Sequence, residues 1–233
     1  MALDCTGKEL PSEMVTTPQP SSPKSFDDFC IVVTAGEEIL LHQDLSGKKL
    51  YYWCILQADD YSLAVCELEN YANYAETKQQ WSGKRADYLV MGYTDESCYL
   101  IVVELRHVLV KEAQEDQKFE QLKQSIQQII QRREIFRESQ ALDEVYHQPE
   151  SYRVIGVVIA PGNTRRFRRG ELNQVYSIGS HKVLIRTLPK DALLNCKITW
   201  SDLLQRVGVI PGRTAGPLEF EIPAKSTEES PPS

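Results

Sequence analysis

Hydrophobic and polar positions recur along the chain with two periods, and the change from one to the other marks out the elements. The blocks KKLYYWCILQA (48–58) and YSLAVCELE (61–69) are rich in aromatic and β-branched residues and are separated by two aspartates. That pattern predicts two strands paired with each other, with a helix start left open for the second. ADYLVMGY (86–93) and CYLIVVELRHVLV (98–110) flank the turn-like TDES and read as an antiparallel hairpin. The second arm is apolar on both faces, so it belongs in the middle of a sheet. From 112 to 136 the chain has no Gly or Pro and places Phe119, Leu122, Ile126, Ile129 and Arg133 at helical spacing, which predicts a long amphipathic helix against that sheet. YRVIGVVIAPG and HKVLIRTL read as two further strands, and TWSDLLQRVG as a short helix with Thr199 or Ser201 as N-cap and Gly208 beyond its end. The succession predicts a mixed α/β sheet flanked by helices.

The pattern is broken inside its most apolar block. In IVVELRHVLV (101–110), Glu104, Arg106 and His107 follow directly on Ile101, Val102 and Val103. Burying a carboxylate without a partner costs several kcal/mol, roughly, so a central strand carries one only with a partner or a task. The period of two puts Glu104 and Arg106 on one face and His107 on the other, where it is read as a histidine satisfied against the helix. Asp87 opens the neighbouring strand. Two acids and a base at one end of a hairpin suit a hard divalent cation, since Mg²⁺ takes carboxylate oxygens, keeps several waters and activates one of them against a phosphodiester.

This arrangement resembles the PD-(D/E)xK nuclease superfamily, whose motif is an Asp at a strand start, Glu-x-Lys on the next strand, and then a helix. The likeness covers about residues 60–160. It implies a restriction-endonuclease-like α/β fold, with Asp87 and Glu104 as Mg²⁺ ligands and Glu67, or Glu69, as an added acid from upstream. Arg106 stands where the family has Lys. Arginine offsets charge on a phosphate but stays protonated and is planar and bulkier, so the change bears on catalysis. A lysine displaced in sequence would compensate. Lys84 is nearer than Lys111, which lies five residues, or roughly 17 Å of extended chain, beyond Arg106. The open alternatives are a vestigial site on the same fold and a structural ion-pair network on an unrelated α/β fold.

Charge changes the picture at one more place. The chain carries a formal net charge of −7, which argues against non-specific coating of nucleic acid. Yet NTRRFRRGEL holds Arg165, Arg166, Arg168 and Arg169 around Phe167. Guanidinium forks fit phosphate oxygens and an interleaved aromatic stacks on a base, while a solvated loop or a docking surface for an acidic protein remains the alternative. Arg132, Arg133 and Arg137 either extend the patch or complement the helix dipole.

Composition adds bounds. With 42% hydrophobic and 25% charged residues the chain is an ordinary globular one. Residues 1–25 and 216–233 are polar and Pro/Ser-rich and are expected as flexible tails around one domain at 26–215. Six scattered cysteines without a CxxC pair are expected as small buried hydrophobes, not a zinc site. With no long apolar run and no signal-like N-terminus, a cytoplasmic location and no membrane are expected. The functional expectation is a nucleic-acid-binding protein of nuclease fold, acting on DNA or RNA as a Mg²⁺-dependent phosphodiester hydrolase (endonuclease). The alternative is a catalytically degenerate subunit that binds nucleic acid or a protein within a larger complex, with a homodimer left open.

Overall fold

The computed structural model describes residues 5–7, 9–11, 14–45, 50–94, 98–106, 112–132, 139–141, 151–160, 173–178, 181–189, 193, 195–208 and 220–223. In chain order these form β1 (Thr6–Gly7), a 3-10 turn (Asp27–Phe29), β2 (Cys30–Val33), β3 (Glu38–Leu45), β4 (Leu50–Gln57), β5 (Leu63–Glu67) and helix α1 (Leu68–Thr77). Then come β6 (Tyr88–Tyr93), β7 (Cys98–Leu105), helix α2 (Glu112–Gln131), β8 (Ser151–Ala160), β9 (Asn173–Ile178), β10 (His181–Pro189), β11 (Lys197–Thr199), helix α3 (Trp200–Arg206) and β12 (Phe220–Pro223).

Two sheets result. The larger runs β2-β5-β6-β7-β8-β10-β9, with β12 also on β8; the smaller has β4 at its centre, with β3 on it and β1 and β11 as its other partners. The hairpin β6–β7 is antiparallel as expected, and β7 is central, buried along all eight residues. From β7 the chain passes through α2 to β8, which lies parallel to β7, the connection a parallel pair requires. Alternate residues of β7 serve different cores. Cys98, Leu100 and Val102 pack with α1 and α2, while Tyr99, Ile101, Val103 and Leu105 pack against the small sheet and α3. The layers are therefore helices, large sheet and small sheet, each burying one face on the next. Leu122, Ile126 and Ile129 of α2 are buried at their helical spacing, and α2 comes close at Gly156 of β8, where a Cβ would sit 3.2 Å from Ile126 Cδ1.

Three expectations are corrected. Strands β4 and β5 do not pair with each other: β4 takes β3, whereas β5 takes β2 and β6 in the other sheet. The aspartates between them do not close a hairpin; Asp59 Oδ2 instead accepts from Ser201 N at 3.0 Å and supports the start of α3, beside the Thr199 cap that accepts from Asp202 N at 3.1 Å. Parts of both expected tails also belong to the fold. β1 pairs with β4, Leu40 N donates to the Val15 carbonyl at 2.8 Å, and β12 pairs with β8. Backbone hydrogen bonds to strands that already exist hold these segments here. Finally, Cys5 and Cys196 form a disulfide, so not all six cysteines are merely small hydrophobes; Cys30, Cys54, Cys66 and Cys98 are buried free thiols. No helix among the described residues is long and apolar enough to cross a membrane.

The layers meet closely at Gly92. A Cβ there would run into the Trp200 ring and lie 2.6 Å from Leu63 Cδ2, while Trp200 Nε1 donates to the Tyr93 carbonyl at 2.9 Å. Gly92→Ala is therefore expected to cost about 3 kcal/mol by overpacking, read as a lower urea midpoint with an unchanged slope.

Candidate functional site

The end of β7 carries the polar break. Glu104 follows the alternation that puts Leu100 and Val102 toward the helices, and on β8 it is opposite Val158, which packs on that same side. Arg106 comes two residues later, just past the strand, and its N–H donates to the Ile159 carbonyl at 2.8 Å, continuing the parallel ladder. Asp87 immediately precedes β6. Carrying the Tyr88–Val103 register one step further places Asp87 across from Glu104. Directly opposed residues of an antiparallel pair have Cβ atoms about 4.5–5.5 Å apart, so the two carboxylates are neighbours on one face. Asp87 Oδ2 accepts from Leu105 N at 2.6 Å, tying the acid to the neighbouring strand.

All three charged residues are buried: Glu104 is 0%, Arg106 4% and Asp87 7% exposed. Among the described residues no cluster of three or more His, Cys, Asp or Glu side chains is placed to hold a metal. Two carboxylates still fit Mg²⁺, which commonly takes one or two protein carboxylates and fills its shell with water and phosphate oxygens.

Helix α2 sets the position of Asp87. The Ala86 N–H donates to Ser125 Oγ at 2.7 Å, the Lys84 N–H to Gln124 Oε1 at 2.7 Å, and Gln121 Nε2 donates to the Arg85 carbonyl at 3.2 Å. Three side chains of one helix face thus hold the three residues that lead into Asp87. Sequence reading missed this clamp. Its signal was Ser125, a fully buried hydroxyl within the stripe Leu122, Ser125, Ile126, Ile129, where an apolar residue is the rule.

The other expected site residues are placed differently. Glu67 ends β5 in register with Tyr88, on the alternation of Leu63 and Val65, which face the small sheet. It is thus on the side of the sheet away from Asp87 and Glu104. Burial pushes its carboxyl above the ordinary value, opposed by hydrogen bonds from Thr17, whose Oγ1 donates at 3.1 Å, and Asn70. Lys84 is exposed, and its charge acts on Glu120, whose carboxyl is held low chiefly by Lys123, then Gln124, with Lys84 a lesser contributor. His107, Lys111, Arg133, Arg137 and the stretch Arg165, Arg166, Phe167, Arg168 and Arg169 lie outside the described residues. β8, the last described element before that arginine stretch, ends at Ala160, one residue past the carbonyl that receives the Arg106 N–H. No protein-family model, curated protein or solved structure matches the chain.

Proposed function

We propose that the chain is a nucleic-acid-binding protein of restriction-endonuclease-like fold that holds Mg²⁺ at Asp87 and Glu104 and hydrolyses phosphodiesters slowly. The observation that carries this reading is the opposed pair of buried carboxylates at the ends of adjacent strands, with Arg106 buried two residues beyond Glu104 and helix α2 fixing the approach to Asp87. Bound there, the ion supplies Lewis-acid polarisation of a phosphoryl oxygen and a more acidic water. Asp87 and Glu104 contribute the ligand oxygens, and Leu105 N–H orients the Asp87 carboxylate. Arg106 offsets charge gathering on the phosphate, but a guanidinium accepts no proton, so it does not replace the amine of a lysine. Arg165, Arg166, Arg168 and Arg169 hold flanking phosphates, five to nine residues beyond Ala160.

The catalytic part is tested on single- and double-stranded DNA and RNA in Mg²⁺ and Mn²⁺. The wild type cuts slowly, Arg106→Lys raises the rate by roughly tenfold or more, and Lys84→Ala changes little. Lys84→Ala abolishing cleavage would give the catalytic amine to Lys84 instead. The second reading, a catalytically degenerate subunit of the same fold, is favoured by the exposed position of Lys84. If wild type, Arg106→Lys and Lys84→Ala all fail to cut any of these substrates even in Mn²⁺, that second reading stands.

Nucleic-acid binding is tested by salt dependence. Four phosphate contacts from the arginine stretch give a slope of log affinity on log salt of about −3.6 for a duplex, and Arg166→Ala makes it shallower by about 0.9. An unchanged slope with all four arginines replaced by alanine would remove that stretch from the binding surface.

A further inference from the structure

Strands β2 and β5 set Cys30 and Cys66 directly opposite each other in antiparallel register. Both side chains lie in the core between the large sheet and the helices, and both are free thiols, with the Cys30 thiol donating to the Phe26 carbonyl at 3.5 Å. Opposed residues of an antiparallel pair have Cα atoms about 4.5 or 5.5 Å apart, according to whether they share backbone hydrogen bonds. Both distances fall inside the Cα window of about 4.4–6.8 Å that a disulfide needs, and Cβ atoms about 4.5–5.5 Å apart in such a pair have only to draw slightly together for the bond to close. The other free thiols lack this arrangement: Cys54 belongs to the core on the far side of the sheet, and Cys98 is opposite Tyr93 and Tyr152.

We infer that Cys30 and Cys66 are a second oxidisable dithiol of this fold, closed into a cross-strand disulfide by hydrogen peroxide. Access comes through β2, a four-residue strand at one end of the sheet path, paired there with β5. Cys30 is 8% exposed and Cys66 fully buried, so Cys30 meets the oxidant first. Burial, and then the Cys30 neighbour, hold the Cys66 thiol well above its ordinary value; in the closed fold little thiolate is present, and the reaction proceeds through local opening of the short strand. The Cys30 sulfur attacks one peroxide oxygen, the O–O bond breaks, and water leaves behind a sulfenic acid. The Cys66 sulfur then attacks the Cys30 sulfur, the S–O bond breaks, and a second water leaves. Two thiols lose two electrons and one peroxide becomes two waters. The product ties β2 to β5, the strand whose last residue is in register with Tyr88, next to Asp87.

The test uses the full chain with its Cys5–Cys196 disulfide intact. In a Cys54→Ala background, folded protein is treated with hydrogen peroxide, denatured, alkylated and digested with trypsin. Tryptic peptides 25–48 and 50–78 then carry one cysteine each, Cys30 and Cys66. The expected result is the two peptides linked and lighter by two hydrogens. In the wild type the same link is read from fragment ions that separate Cys54 from Cys66, so the result does not depend on how the Cys54→Ala variant folds. In Cys66→Ala, Cys30 is expected to accumulate as a sulfenic acid trapped by a dimedone probe, a signal that the presence of Cys66 removes. Recovery of both peptides alkylated, or of Cys30 as a sulfinic acid with Cys66 still alkylated, overturns the inference, as does equal sulfenic trapping with and without Cys66.

Discussion

Glu104→Ala is expected to lower the unfolding free energy by about 3–5 kcal/mol and to abolish stabilisation of the protein by Mg²⁺. Glu104 is fully buried, and Arg106, two residues on, is 4% exposed. Alanine removes the carboxylate and leaves the guanidinium in the interior with less compensating charge, besides leaving a cavity. Glu104→Gln keeps the volume and most of the hydrogen bonding, so it separates the two effects: the fold should survive while the metal effect is lost. In the wild type, Mg²⁺ at a hundred times its dissociation constant should add about 2.7 kcal/mol. Thermal and urea unfolding with and without Mg²⁺ measure both quantities. If Glu104→Gln gains as much from Mg²⁺ as the wild type does, the ion does not sit at Glu104.

Removing the Cys5–Cys196 disulfide should have an effect of similar size for a different reason. The bond joins residues 191 positions apart, and closing so long a loop restricts the unfolded chain by about 5 kcal/mol in the chain-entropy view. Losses from native disulfides run about 2–5 kcal/mol, so about 4 is expected for the double variant Cys5→Ser/Cys196→Ser, or roughly 10 °C in melting temperature. The structure adds a local cause. Strands β1 and β11 have two and three residues, and both pair with β4. Trp53 N–H donates to the Cys5 carbonyl at 2.9 Å and Ile55 N–H to the Cys196 carbonyl at 2.7 Å, so the bond clips two short strands to one neighbour. Residues 195 and 196 also adopt positive φ, 55° and 62°, a conformation unfavourable for non-glycine residues unless the surroundings hold it. Calorimetry on oxidised, reduced and double-variant protein is the measurement. A melting temperature that is the same in all three would show that backbone pairing alone secures the N-terminal strand.

Strong local periods were legible. The hairpin β6–β7, the central place of β7, the helix α2 and the Thr199 cap of α3 all follow from patterns of 2 or 3.6 residues and from cap chemistry, which act within a few positions of the chain. At the candidate site, the hairpin pattern alone brought Asp87 and Glu104 to the same end of adjacent strands. Alternation, once β5 was placed, set Glu67 on the other face, because its register with Tyr88 depends on a partner far along the chain. The choice of partner for β4 was illegible for that reason too. Tyr52, Cys54 and Leu56 ask only for some apolar surface, and a pattern cannot say whether β3 or β5 provides it.

By itself, the sequence determined which segments are strands and helices, which face of each is apolar, and where an apolar run carries charge, since these depend on side-chain type and spacing. The tertiary structure alone decided that β4 and β5 belong to different sheets, that Asp87 is opposite Glu104, that Ser125 holds the approach to Asp87, and that cysteines 5 and 196 meet. Each is a contact between residues distant in sequence, and distant contacts are chosen by how whole layers bury their faces, a quantity no local window contains.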